Sequence, residues 1–185
     1  MTVKIALLGE IRAGKDTVAN LIDNQLHTGD TVFMAFADEI HKVIKQYFPE
    51  AYLEGKPRRF LQEIGQAFRR LNPDIWINKL FNSERYTTAI EQSQHIIITD
   101  VRQPNEAIRL KLEGFTIIKV TADEGIRLAR AIDKGDDFKV SDFYHETELA
   151  IQHCHYDVVI DNSSTIEALE KRVAEVIEEV ATNGK

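Results

Sequence analysis

The chain has 185 residues and a formal charge of −7, from 23 Lys+Arg against 30 Asp+Glu. Hydrophobic residues make up 43% and charged residues 29%, the composition of a folded globular domain, which excludes long disorder. The acidic balance argues against general nucleic-acid binding, no apolar run nears the roughly 20 residues of a bilayer span, and the lone Cys154 fits a reducing, cytoplasmic setting.

Strand-like and helix-like runs alternate along the chain. Val3 to Leu8 is a β-rich run stopped by Gly9, and too short for a secretory core. Lys15 to His27 has helical spacing, with Val18, Leu21, Ile22 and Leu26 on one side. Thr31 to Phe36 reads as a second strand, and Asp38 caps a helix through Tyr47, before Pro49. Pro57 opens a helix to about Leu71, with Leu61, Ile64, Phe68 and Leu71 spaced for the core. Asp74 to about Gln92 is expected to be one long helical stretch. His95 to Asp100 is a third strand, Pro104 to Leu112 a helix stopped by Gly114, and Phe115 to Thr121 a fourth strand. Tyr156 to Asp161 is a fifth strand. The last helix opens on Ser164-Thr165-Ile166-Glu167, read as a capping box, and runs to about Ala181.

Strands that are apolar in runs and separated by helices predict a mostly parallel α/β sheet covered on both faces. Two stretches have less sheet character, Glu50 to Gln92 and Ala122 to His155. Insertions of this kind sit near the carboxyl ends of strands, where ligands bind. A single domain is expected.

Gly9-Glu10-Ile11-Arg12-Ala13-Gly14-Lys15-Asp16-Thr17 follows the first strand and precedes the first helix. Glycines let backbone N–H groups approach an anion, the helix N-terminus adds positive charge, and Lys15 can reach the terminal phosphates. This predicts a phosphate loop, with Gly9, Arg12, Ala13, Gly14, Lys15, Asp16 and Thr17 as the ATP-binding residues. Asp16 stands where the common motif has a Mg²⁺-holding hydroxyl, and a carboxylate can hold that ion directly or through water. Thr17 is placed for a phosphate nearer the sugar. Asp100, closing a hydrophobic strand, is the expected second Mg²⁺-holding group.

Arg58, Gln62, Gly65 and Arg69 fall at i, i+4, i+7 and i+11 on one helix face, and Gly65 there points to a close approach. Arg127 and Arg130 share another face. Planar guanidinium forks suit a reaction in which two phosphorylated molecules must meet. A phosphate monoester, with a second pKa near 6, is ionised at neutral pH and attacks without a catalytic base, and no base motif stands out. His145, His153, Cys154 and His155 match no standard zinc spacing. Trp76, Phe81 and Tyr86 can pack in a core or stack on a base.

Gly14-Lys15-Asp16-Thr17, Phe36-Ala37-Asp38, Leu61-Gln62-Glu63-Ile64-Gly65 with Arg69, Asp74-Ile75-Trp76-Ile77, Asp100-Val101-Arg102-Gln103-Pro104-Asn105-Glu106 and His145-Glu146-Thr147-Glu148 together resemble the deoxynucleoside monophosphate kinases often encoded by bacteriophages. The resemblance implies a three-layer P-loop fold with a five-stranded parallel sheet. It also implies a monophosphate-binding insertion at about 50–92 and a mobile lid at about 122–155. The implied substrates are ATP, used with Mg²⁺, and a deoxynucleoside monophosphate. Lys15, Asp16, Asp100, Arg127 and Arg130 then fall on the catalytic centre, the last two as lid arginines, and Asn162 near the donor base. Arg69, Trp76, Arg102 and Glu106 match positions around the acceptor; with Asp38, Arg58 and Gln62 they form the expected acceptor set. The family pattern His-Pro-Ser-Glu reads His145-Glu146-Thr147-Glu148 here, which leaves the role of His145 and Glu148 open. Two alternatives stay open: a P-loop kinase of another phosphorylated small molecule, of phosphomevalonate or dephospho-CoA type, and a P-loop nucleotide-binding regulator. A homodimer is compatible with the sequence.

Overall fold

The computed structural model describes residues 2–26, 29–53, 55–133 and 146–183. Five strands, β1 (Lys4–Leu8), β2 (Thr31–Met34), β3 (His95–Val101), β4 (Thr116–Thr121) and β5 (Val158–Asp161), form one sheet in the order β2-β3-β1-β4-β5. Every pairing is parallel, with β1 in the middle: Ile5 lies beside Ile97 on one side and Thr116 on the other. The sheet is therefore of the three-layer α/β type expected from the alternation of strands and helices.

The period of two along each strand divides the core into two halves. Ala6, Leu8, Ile96, Ile98 and Ile117 face one side. They pack against α2 (Ala37–Tyr47), α4 (Ile75–Phe81), α5 (Glu84–Glu91) and α6 (Pro104–Leu112). Ile5, Leu7, Ile97, Ile118 and Ile160 face the other, under α1 (Lys15–Leu26) and α9 (Ile166–Asn183). Two further helices, α7 (Glu124–Asp133) and α8 (Glu146–Ala150), flank residues 134–145. That stretch, with His145 and the middle of the expected lid, lies outside the described residues.

Four local expectations are corrected. The stretch from Asp74 to Gln92 is two helices. Asn82 ends the first and Ser83 caps the second, its Oγ accepting from Tyr86 N at 3.2 Å, and a residue that satisfies an orphan N–H starts a new helix there. Asp38 lies inside the first turn of α2, its Oδ2 accepting from Ala35 N at 3.1 Å. The cap of α9 is Thr165, which accepts from Ala168 N at 3.3 Å, one residue later than the expected box.

The fourth concerns α3 (Arg58–Leu71), which lies on α2 and α4 instead of on the sheet. Leu61 and Ile64 pack inward, but Phe68 is 41% and Leu71 87% exposed. Gly65 is where α3 meets α2: a Cβ there would lie 3.3 Å from Ile40 Cδ1.

Candidate active site

The loop from β1 to α1 takes its shape from its glycines. Gly14 has φ +96, and a Cβ on it would lie 2.1 Å from Asn162 Nδ2. A Cβ on Gly9 would lie 2.5 Å from Val120 O of β4. Only glycine meets both demands at no steric cost. The loop is clasped from outside: Asn162 Nδ2 donates to Ala13 O at 2.9 Å, and Arg130 donates to Asn162 O at 2.9 Å and to Arg12 O at 3.4 Å. Arg127 stands behind the loop, paired with Glu10 at 3.1 Å and donating to Ala122 O.

Lys15 Nζ donates to Gly9 O at 2.7 Å and Glu10 O at 3.2 Å. Burial, followed by the nearby Arg102, pushes its ammonium down to about 7. It lines a cavity of about 460 Å³ with Arg12, Gly14, Asp16, Thr17, Arg130 and Asn162. That volume is in the range of small-molecule sites.

A second cavity, of about 180 Å³, opens across the ends of β3 and α2. Phe36, Ile40 and Leu61 supply its apolar wall; Lys56, Arg58, Gln62, Arg69 and Arg102 supply its polar lining with Asp100 and Glu148. Asp100 Oδ1 and Oδ2 accept from Phe36 N at 2.8 Å and Ala37 N at 2.9 Å, which ties the end of β3 to the start of α2. Burial raises the Asp100 carboxyl against the pull of those two amides. Burial also lowers the Arg102 guanidinium. Glu106, capping α6 through Gln103 N and Arg102 N, meets Arg69 at 3.1 Å. Its burial outweighs Arg69 and pushes it up to about 7.

Arg58, Gln62, Arg69 and Arg102 thus share one cavity, which Ile11 of the loop also lines, and Arg12, Gly14, Lys15, Asp16 and Thr17 share the other, while Gly9 and Ala13 of the expected ATP-binding set line neither. Three residues of the expected acceptor set lie elsewhere. Trp76 is 3% exposed, and its Nε1 donates to Gly65 O at 3.1 Å while its ring meets Phe68. It pins α3 to α4 and is not part of the cavity wall. Asp38 supports the start of α2 and lies 3.7 Å from Arg85. Glu106 holds Arg69 from behind. Arg127 likewise lines neither cavity.

Sequence reasoning missed Lys56 and assigned Glu148 no role. A signal for Lys56 existed: a residue before proline is biased away from helix, which leaves Lys56 just outside the start of α3. Glu148 arrives from a distant segment; the His145-Glu146-Thr147-Glu148 motif marked it, but nothing local tied it to Arg102 or Ile11.

A parallel sheet with a phosphate loop after its central first strand, and a cation-lined cavity beside it, defines the P-loop kinase class. The chain belongs to the deoxynucleotide monophosphate kinase family, whose model matches residues 54–173. It is a phosphotransferase of the P-loop kinase type. No curated protein matches it. Its fold is similar to that of a sugar kinase from Janibacter sp. HTCC2649, solved unliganded, at 15% identity and TM-score 0.61, covering 98% of this chain and 96% of that one. Shikimate kinase from Acinetobacter baumannii, solved with shikimate, is similar at 15% identity and TM-score 0.58, covering 99% of this chain and 95% of that one. No described helix is long and apolar enough to cross a membrane.

Proposed function

We propose that the protein transfers the γ-phosphoryl group of ATP to the phosphate of a deoxynucleoside monophosphate, giving ADP and the diphosphate. The observation that carries this reading is the pair of cavities that share the loop of residues 9–17, Arg12 and Lys15 lining one and Ile11 the other. Lys15 lines the loop-side cavity and is coupled electrostatically to Arg102 and Lys56 of the other. ATP occupies the loop side, with its phosphates on the amides of the loop and on Lys15. The acceptor phosphate sits among Lys56, Arg58, Arg69 and Arg102, and Gln62 offers an amide to the rest of the acceptor.

The bond formed joins an acceptor phosphate oxygen to the γ-phosphorus, and the bond broken is that phosphorus to the β-bridging oxygen. The acceptor oxygen is already ionised at neutral pH, so no proton has to be removed. Positioning and charge neutralisation then carry the catalysis, which is what phosphoryl transfer asks of a protein. Asp16 lies in the loop-side cavity with a carboxylate suited to Mg²⁺. Asp100 has both oxygens engaged with backbone amides, which fits it to hold the ion through water. When bound, Mg²⁺ supplies neutralisation of the polyphosphate charge.

The test is an ADP assay with MgATP and a panel of four deoxynucleoside monophosphates, the matching nucleosides and water alone. Turnover that requires a monophosphate is the expected result. Turnover with no acceptor, or with nucleosides only, overturns it.

A further inference from the structure

The cation-lined cavity holds a carboxylate that phosphate binding does not call for. Glu148 lies on α8, yet its side chain is 6% exposed and faces the same cavity as Lys56, Arg58, Arg69 and Arg102. Its Oε2 accepts from Ile11 N at 2.7 Å, and its Oε1 is ion-paired with Arg102 Nη1. Ile11 belongs to the phosphate loop. A loop amide and a guanidinium are the donors that a phosphate oxygen would use.

A buried carboxylate loses several kcal/mol of hydration and persists only where partners replace the water. Here the partners are two groups of the substrate site itself. A carboxylate that kept this position while a phosphate arrived would repel it at close range. The room agrees with this conflict: about 180 Å³ is less than the roughly 300 Å³ at which small-molecule sites begin.

We propose that Glu148 is a resident counterion: its carboxylate fills an anion seat made by Ile11 N–H and Arg102, and the phosphate of the acceptor replaces it there. The identity of the anion rests on the functional reading above; the displacement itself does not. A phosphate dianion carries more charge and more acceptor oxygens than a carboxylate, so it wins the seat. A neutral hydroxyl compound gains nothing from Arg102 and leaves Glu148 in place. Glu148 thus offsets part of the cavity's positive charge between turnovers, at the expense of apparent affinity, since only the fraction with Glu148 withdrawn binds an anion.

The experiment is calorimetric titration of the full chain with inorganic phosphate and, separately, with each of the four deoxynucleoside monophosphates, all without ATP. Glu148→Gln keeps the shape and an acceptor for Arg102 but removes the charge. It is expected to bind inorganic phosphate about tenfold tighter than the wild type, because the internal competitor is gone. In turnover the KM for the acceptor falls with it while the KM for ATP holds. Unchanged or weaker phosphate binding overturns the proposal and makes Glu148 a fixed anchor of Arg102. Glu63→Gln, on an exposed face of α3, is the control for bulk charge; a gain equal to that of Glu148→Gln also overturns it. If Glu148→Gln does not fold, Glu148→Asp retains the charge but withdraws it by one methylene. It is expected to bind phosphate a few-fold tighter, and equal or weaker binding counts against displacement. The phosphate titration needs no turnover, so an inactive dNMP panel removes the functional reading and leaves this one standing or falling by itself.

Discussion

The two halves of the site are built in opposite ways. On the side proposed for ATP, the groups assigned to the phosphates are backbone amides of one contiguous loop, with Lys15 folded back onto that loop's own carbonyls. On the side proposed for the acceptor they are side chains from separate segments, Lys56, α3 and the end of β3, with Glu148 of α8 facing them. Backbone groups are oriented by φ and ψ, so a short motif contains the whole design. Side-chain groups need neighbours to orient them, and here those neighbours are carboxylates: Glu106 for Arg69 and Glu148 for Arg102. An amide needs no counterion, whereas a cluster of half-buried guanidinium groups does.

The contrast is broken most severely at Lys15. Lys15→Ala is expected to lower kcat on the order of 10²–10³-fold, as loss of one preorganised charge donor does, with an unchanged thermal unfolding midpoint. Near-normal turnover would remove the loop from the chemistry. Arg69→Ala sharpens the division. Loss of a charge-assisted hydrogen bond of about 1.5–3 kcal/mol corresponds to roughly a 10–100-fold rise in acceptor KM, with ATP KM held within about twofold. The reverse pattern in steady-state kinetics would move Arg69 to the other half. Its unfolding midpoint should also fall, because Glu106 loses its partner, and a denaturation series checks that.

Lys15 gives a pH signature confined to the ATP side. In the free protein burial and Arg102 hold it down to about 7, so above that pH it is mostly neutral. A polyphosphate favours the charged form, which raises the value on binding. ATP binding should therefore take up close to one proton at about pH 8.5, and progressively less as pH falls through 7. Calorimetry in buffers of different ionisation heat measures the uptake; proton release would contradict the assignment. The smallest effect is expected from Ser83→Ala, about 1 kcal/mol of stability from the lost cap of α5, with kinetics unaltered on either side. Equilibrium urea unfolding reads it directly.

Legibility in the sequence followed the same division. Gly9 to Thr17 was readable because its design is contiguous, and Arg58, Gln62 and Arg69 were readable because a helix repeats every 3.6 residues. The strands and the two-faced sheet followed from apolar runs alternating with amphipathic ones. The break at Ser83 was hidden because the helical period continues across it, and only the hydroxyl bond to Tyr86 N reveals the restart. Trp76 looked equally fit for a core or a site, since an indole serves both; the carbonyl of Gly65 decided it. Asp100 was visible as a strand-end carboxylate, but its hold on Phe36 N and Ala37 N spans 64 and 63 residues of chain. Glu148 meets Ile11 across 137 residues, a distance over which no local pattern speaks.

The position of β1 has a consequence for how the molecule comes into being. β1, which is synthesised before the other four strands of the sheet, is flanked on both sides, by β3 and β4. Its edges must therefore wait until residues 95–101 and 116–121 have been synthesised. Until then an apolar segment, Lys4–Leu8, has no partner to pair with, and assembly of the sheet is bound to late, long-range closures. Nascent chains cut short before residue 95 should accordingly be protease-sensitive along their whole length, however good their helices.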